Sequence, residues 1–346
     1  MAQLGLGLIG VGKHGSRYAR HICNDLPFVK LTALARRNVD AAQQQAEEFG
    51  CRAYADYRAL IAAPEVDAVI VVVPPTLHPE IIEAAAAVGK PVLLEKPAAA
   101  NMVDGERILR AVRDSGIAVM VAQTLRYNAV VQLLLQHRER LGRMHSVRLD
   151  QCFEPSRPGW IDEPRVSGGG MVLHTGIHCF DLVRLLSGRE VERVSCDIAS
   201  VRTRATEDTF SAVMRLRGDA MLACVAGSRA TASRSGGIQL IGEHGQLIAD
   251  HVRNCVGILH DTTLTPLPVP RPVATVLETV RDFAVAVERG APMPIPLAEG
   301  LRAVAIVDAC YRAARSGQAE AVPALSIEQP PAAGSPARFA PLGRVC

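Results

Sequence analysis

Residues 6–20 read LGLIGVGKHGSRYAR and set Gly10-x-Gly12-x-x-Gly15 between an apolar run and an amphipathic stretch. Few short patterns constrain a fold as tightly, because each glycine answers a different backbone demand. Gly10 permits a tight turn, Gly12 lets a pyrophosphate approach the main chain, and Gly15 lets a helix pack closely on the preceding strand. Backbone N–H groups around Lys13 and His14, at the helix start, are placed to receive phosphate oxygens. A glycine-containing turn that binds nothing is the alternative; the strand before and the helix after weigh against it.

The surrounding chain supplies the sheet such a turn needs. Strands are expected at Leu4–Ile9, Val29–Ala35, Ala68–Val73, Pro91–Leu94 and Ile117–Val121, with helices reaching about Asp25 and spanning Val39–Phe49 and Pro79–Val88. The unbroken β-branched run at 68–73 asks for cover on both faces. This alternation predicts an α/β fold with a parallel, doubly wound sheet over residues 1–122.

After residue 123 the rhythm changes. A helix at Ala129–Arg140 precedes an alternating strand at Ser146–Phe153, then a glycine segment and a helix ending near Gly188. Strands between Val191 and Leu267, with turn signals at Arg217-Gly-Asp, Ser235-Gly-Gly and Gly242-Glu-His-Gly, suggest an open, mostly antiparallel sheet. Helices at Val273–Arg289 and Leu297–Ser316 complete an α+β domain over 123–317. The Pro- and Ala-rich stretch 318–346 reads as a loosely held tail.

Composition narrows the partners. A net charge of +3 with scattered arginines offers no basic stripe for nucleic acid. The nine cysteines lie far apart without a CxxC pair, which suggests reduced thiols. The apolar opening lacks a basic leader and runs into the glycine turn, so it reads as a strand rather than a signal peptide. No stretch reaches the roughly 18 apolar residues of a membrane span. A cytoplasmic protein with no membrane partner is expected.

The chemistry gathers at strand ends. The second strand closes with LTALARRN, placing Arg36 and Arg37 where NAD enzymes carry an acid about 20 residues past the turn. Two guanidiniums suit a 2′-phosphate, so NADP is favoured over NAD, with solvated surface arginines as the alternative. Pro74, Thr76 and His78 follow the strand at 68–73. Glu95, Lys96 and Pro97 follow the strand at 91–94, at the edge where doubly wound sheets bind ligands. There desolvation and a positive nicotinamide ring would lower the pKa of Lys96 and fit it for proton transfer.

Together GVGKHG, the PTLH loop at 75–78, EKP at 95–97, QTLRYN at 123–128, Trp160 before the glycines, HTGIHCFD, GEHGQLIAD at 242–250 and the helix around Glu299–Gly317 resemble the glucose–fructose oxidoreductase/inositol dehydrogenase/MocA (Gfo/Idh/MocA) family. The similarity runs from Gly10 to about Gly317. It implies a Rossmann domain that binds NAD(P), followed by a sheet domain that often builds homodimers or homotetramers. It also implies that Lys96 and His178 handle the proton of a sugar or polyol hydroxyl. By the same resemblance Arg126 and Tyr127 return to the cofactor and substrate, and Trp160 lies over the mouth of the site.

The segment GGGMVLHTGIHCFD (168–181) departs from that family. The usual pattern has aspartate where His174 stands, while His178 and Asp181 match. If the segment is an ordinary helix, His174, His178 and Asp181 share one face and shape the substrate side. A histidine at 174 would not pair with Lys96 as an aspartate would, so Lys96 should lose its proton more easily. A buried, backbone-satisfied His174 is the alternative. Zinc is not expected, because HTGIH lacks the glutamate of HExxH and a third ligand nearby. The function implied is hydride transfer between nicotinamide and a hydroxyl or keto carbon of a sugar, inositol or related polyol. A reductase of another carbonyl or imine, and a cofactor-binding regulator without turnover, are the rival readings.

Overall fold

The computed structural model describes residues 3–155, 159–218 and 220–325. Its first half alternates strand and helix: β1 (Leu4–Ile9), α1 (Gly15–Asp25), β2 (Val29–Ala35), α2 (Val39–Phe49), β3 (Arg52–Tyr54), α3 (Tyr57–Ala62), β4 (Ala68–Val71), α4 (His78–Ala87), β5 (Val92–Glu95), α5 (Met102–Ser115) and β6 (Val119–Ala122). The six strands are all parallel, in the order β3-β2-β1-β4-β5-β6. That order reverses at β1 and β4, and the reversal opens a crevice at the carboxyl ends of the strands. β4 is entirely buried, as a central strand covered on both faces must be. β3, α3 and α5 have no counterpart among the elements expected from the sequence. The first two are too short to show a period; α5 is amphipathic, with Asn101 capping its start and Gly116 its end.

The second half holds α6 (Ala129–His137), β7 (Met144–Cys152), α7 (Pro164–Ser167), a π-helical turn at Val172–Gly176, α8 (Ile177–Ser187), β8 (Val191–Ala199), β9 (Thr209–Leu216), β10 (Leu222–Ser228), β11 (Ser235–Gly242), β12 (Gly245–Asp250), β13 (Cys255–His260), β14 (Thr263–Leu267), α9 (Thr275–Arg289), α10 (Leu297–Ser316) and β15 (Glu320–Ala321). The nine-stranded sheet runs β14-β13-β12-β11-β7-β10-β9-β8-β15. Every pairing is antiparallel except β7 with β10. Helices α8 and α10 cover one face.

Two expectations are corrected here. Ser235-Gly-Gly is not a turn; it begins β11. A Cβ on Gly236 would meet the His251 ring at 2.2 Å and one on Gly237 would meet Asp150 at 2.2 Å, so neighbouring side chains fill that space. Residues 318–325 are also not loose. β15 pairs with β8, and Arg312 and Arg217 donate to the carbonyls of Ala321 (2.7 Å) and Val322 (3.1 Å). The remainder of the expected tail, 326–346, lies outside the described residues.

The chain leaves the first sheet after β6 and later returns to it. Val276, Val280, Phe283 and Ala284 of α9, with Ile295, share a core with Leu6, Tyr18 and Ile22. The N–H of Val121 donates to the carbonyl of Ile295 at 2.9 Å. This return seats α9 and Ile295 on the first sheet. No helix among the described residues is long and apolar enough to cross a membrane.

Candidate active site

The glycine turn opens the crevice. Gly10 has φ +92°, and a Cβ there would sit 2.1 Å from the Val72 carbonyl oxygen. A Cβ on Gly15 would meet the Gly10 carbonyl oxygen at 2.0 Å, which is the close helix–strand approach. A Cβ on Gly12 would meet nothing within 4 Å. The N–H groups of Lys13 and His14 have no acceptor among the described residues, and α1 starts without a side-chain cap or an acid in its first turn. An uncapped helix start beside open backbone is an anion site, so these residues fit a dinucleotide pyrophosphate.

Arg36 is half-buried and donates to Gln45 (3.1 Å); Gln45 reaches Ser16 (3.4 Å), whose hydroxyl bonds the Gly12 carbonyl (3.0 Å). Arg37 is exposed. The end of β2 is thereby wired to the phosphate turn. Across the crevice, His14 Nε2 lies 2.6 Å from Glu95 Oε1, which also accepts the Tyr18 hydroxyl (2.8 Å). Glu95 Oε2 takes the Lys96 N–H at 2.7 Å. Burial pushes the Glu95 pKa up, but the His14 bond and charge, the Lys96 charge and the Tyr18 bond together hold it below the usual range. Glu95 is a fixed anion tying β5 to the glycine turn.

The neighbouring loops behave differently from one another. Pro74 leads into a short 3-10 turn, Pro75–Leu77, where the Thr76 hydroxyl donates to the Val166 carbonyl of α7 at 3.0 Å. His78 was expected at the cofactor but is wholly buried. Its ring nitrogens lie 3.2 Å from the carbonyls of Ala98 and Val73. Burial lowers its pKa, so it is a neutral strut between the loops after β4 and β5.

Lys96, with a cis peptide to Pro97, reaches across to the second half: Nζ donates to the His174 carbonyl at 3.0 Å. Burial lowers its pKa; Glu95 opposes this and Arg229 adds to it. His174 stands in the π-helical turn, 7% exposed, with Nε2 donating to the Ser167 carbonyl (3.0 Å) and its ring edge-on to Trp160 (centroids 5.4 Å). Burial, then the charges of Lys96 and Arg229, push its pKa down to about 3. One turn on, His178 Nδ1 is buried without a hydrogen-bond partner among the described residues. Burial drives the His178 pKa well down, with the charges of Lys96, His251 and His14 acting the same way.

His174, His178 and Asp181 do not converge as one helical face. The wider π turn rotates His174 toward Ser167, and Asp181 points into a buried ion network. Arg126 grips Asp181 with two bonds (2.8 and 2.5 Å) and also Glu299 (2.8 Å), while Arg184 joins Glu190 and Glu299. Tyr127 donates to Asp282 of α9 at 2.9 Å. The polar groups of Arg126, Tyr127 and Asp181, expected at the cofactor and substrate, are engaged by partners of the second half: Arg126 and Asp181 by each other, Arg126 also by Glu299 of α10, and Tyr127 by Asp282 of α9. Trp160 is 37% exposed beside His174.

Two residues outside the sequence motifs shape this site. Glu207 accepts the N–H groups of Gly170 (3.1 Å) and Val172 (2.9 Å) and the Tyr311 hydroxyl (2.8 Å), which fixes the turn bearing His174. A Cβ on Gly170 would strike the Glu207 carbonyl at 2.0 Å, so the glycine run serves this contact. Arg229 follows β10 and donates to the Thr175 hydroxyl at 3.2 Å. No local pattern marks either one, since their partners lie 35 to 104 residues away.

Known proteins agree with this architecture. Residues 4–123 match the family described as "Oxidoreductase family, NAD-binding Rossmann fold", and 134–248 match the GFO/IDH/MocA C-terminal domain. The chain is 29% identical over 264 residues to myo-inositol 2-dehydrogenase of Thermotoga maritima, covering 74% of this chain and 78% of that one. It is 27% identical over 328 residues to inositol 2-dehydrogenase of Rhizobium meliloti, covering 88% and 95%. In fold it is similar to a levoglucosan dehydrogenase solved with NADH and levoglucosan (TM-score 0.84, 23% identity, 93% of this chain and 100% of that one). Two adjoining domain matches in family order, on a sheet with the 3-2-1-4-5-6 strand order, place the chain in the Gfo/Idh/MocA family of NAD(P)-dependent oxidoreductases.

Proposed function

We propose that the protein is a dehydrogenase or reductase acting on a hydroxyl or keto carbon of a sugar, inositol or related polyol. The observation that carries this reading is the bond from Lys96 to the His174 carbonyl, which brings an amine of the first half to the turn before His178. The relatives named as inositol dehydrogenases support the substrate class.

Gly10, Gly12, Lys13, His14 and Gly15 would hold the pyrophosphate, with Arg36 and Arg37 favouring the 2′-phosphate of NADP. The levoglucosan dehydrogenase bound NADH, so NAD is the competing choice. Bound there, the dinucleotide supplies the hydride acceptor or donor. The protein's part is placement and a path for the proton. Burial favours the neutral amine of Lys96, which accepts the hydroxyl proton in the oxidation direction and returns it in reduction. His178 is neutral as well. A buried N–H without an acceptor costs more than a bare lone pair, so the ring keeps its proton on Nε2 and offers it to the substrate oxygen.

The sheet face away from α8 and α10 exposes Val213 and Leu222, which supports self-association through that face. The test of function is NADPH or NADH turnover over a panel of sugars and inositols, with Lys96→Met and His178→Ala beside the unmodified protein. Loss of turnover in both variants is expected; undiminished rates in both would remove these roles.

A further inference from the structure

Among the described residues, only Gln123 and His178 carry buried side-chain polar atoms without a hydrogen-bond partner: both amide atoms of Gln123, and Nδ1 of His178. Gln123 is 1% exposed; His178 is half-buried, with Nδ1 turned inward. Buried polar atoms are nearly always paired, so each of these asks for a partner. Two observed bonds bracket them. Glu95 is in register with Ala122, so Lys96 and Gln123 leave neighbouring strands side by side. Lys96 reaches the His174 carbonyl at 3.0 Å, one turn before His178. On the other side the Arg126 N–H donates to the Gln123 carbonyl at 3.0 Å, and the Arg126 side chain holds Asp181 at 2.8 Å, one turn after His178. Residues three apart in a 3-10 turn lie above one another, as Gln123 and Arg126 do, and His178 and Asp181 are neighbours on the surface of α8.

We infer that Gln123 is the positioning residue of His178, lying opposite it between these two bonds and donating its amide N–H to Nδ1 in the reacting complex. The inference rests on the hydroxyl-oxidoreductase reading above and deepens it, by naming what holds the ring that meets the substrate oxygen. With the ring proton on Nε2, Nδ1 is an acceptor, which an amide N–H fills and an ionised carboxylate cannot. The bond fixes the tautomer and the rotation of the ring together, so that Nε2–H stays aimed at the substrate. An amide does this without adding charge, and the ring stays neutral where a carboxylate would favour its cation. Hydrogen bonds that orient a proton-transfer group are often open in the resting enzyme and close in the Michaelis complex.

The experiment uses the full chain with NADPH bound. It reads His178 by nitrogen NMR of the imidazole ring, assigned by the signals lost in His178→Ala, beside turnover over the sugar and inositol panel. The unmodified protein is expected to show a protonated Nε2 and an Nδ1 that accepts a hydrogen bond. Gln123→Met keeps the length of the side chain and removes the amide. It is expected to lower kcat about tenfold, the worth of one hydrogen bond in the transition state, with KM and NADPH affinity hardly moved. The same change in the His178→Ala background is expected to have no further effect, because Gln123 acts through the ring. Gln123→Glu, which serves if Gln123→Met does not fold, puts an acceptor in place of the donor and is expected to move the ring proton to Nδ1. Unchanged kcat, with the His178 signals unmoved in both variants, overturns this inference and leaves the hydroxyl-oxidoreductase reading standing. A loss of the same size in the His178→Ala background also overturns it. Ring signals that follow both variants, without turnover of any compound in the panel, support the pairing and overturn that activity. Neither turnover nor a response of the ring overturns both.

Discussion

Both carboxylate oxygens of Asp181 are occupied by a single guanidinium: Arg126 Nε donates to Oδ2 at 2.8 Å and Nη2 to Oδ1 at 2.5 Å. The two residues are 1% and 6% exposed. Arg126 keeps Glu299 as a second counter-ion at 2.8 Å. Asp181→Asn is therefore expected to cost about 1.5–3 kcal/mol of stability by urea denaturation, the worth of hydrogen bonds to a charged group. A stability loss below about 1 kcal/mol, accompanied by a raised KM, would instead mean that Asp181 faces a ligand.

Gly12 and Gly15 separate binding from folding. With nothing within 4 Å of its virtual Cβ, Gly12→Ala should leave the melting temperature unchanged. A methyl at that spot blocks a phosphate from the backbone, so dinucleotide affinity by calorimetry should fall about tenfold or more, the value of roughly 1.4 kcal/mol. Gly15→Ala, 2.0 Å from the Gly10 carbonyl, should lower stability itself, by about 2 kcal/mol. Normal binding by Gly12→Ala would mean that the phosphates dock elsewhere.

The arginine pair after β2 sets a second test. Arg36 is already bonded to Gln45, whereas Arg37 is exposed. Arg37→Ala should weaken NADPH binding about tenfold and NADH binding hardly at all, since the lost contact is a charge-assisted bond to the extra phosphate. Equal effects on both dinucleotides would assign Arg37 to adenine stacking or to solvent.

The pH dependence of stability should carry the mark of His174. Its folded pKa of about 3 lies below the ordinary value of about 6.5. Between those values the unfolded ring binds a proton and the folded ring does not. Its contribution is therefore complete above pH 6.5 and lost as pH falls toward 3, at up to about 1.4 kcal/mol per pH unit. His174→Gln keeps a donor for the Ser167 carbonyl without titrating, so its stability should fall less steeply between pH 6.5 and 4. His178, shifted the same way, leaves part of the slope in both proteins. Identical slopes would show that residue 174 is not a buried neutral ring.

Much of the fold was legible from local rules. The glycine turn, the all-apolar β4 and the changed rhythm after residue 123 follow from backbone sterics and side-chain period, which neighbouring residues encode on their own. Ser235-Gly-Gly misled because glycine marks a turn and a crowded strand equally well. There the crowding comes from Asp150 and His251, one 85 residues before Ser235 and the other in the turn just after β12.

By itself the sequence determined which backbone conformations and which kinds of sheet were available, and it named the basic and imidazole groups able to move a proton. Only the tertiary structure decided how those groups are spent. It committed Arg126, Tyr127, Asp181 and His78 to protein partners, and it brought Glu207 and Arg229 to the turn that carries His174. The physical reason is separation along the chain. A hydrogen bond is made by whatever acceptor the packed core delivers, and cores are assembled from segments that no local pattern relates to one another.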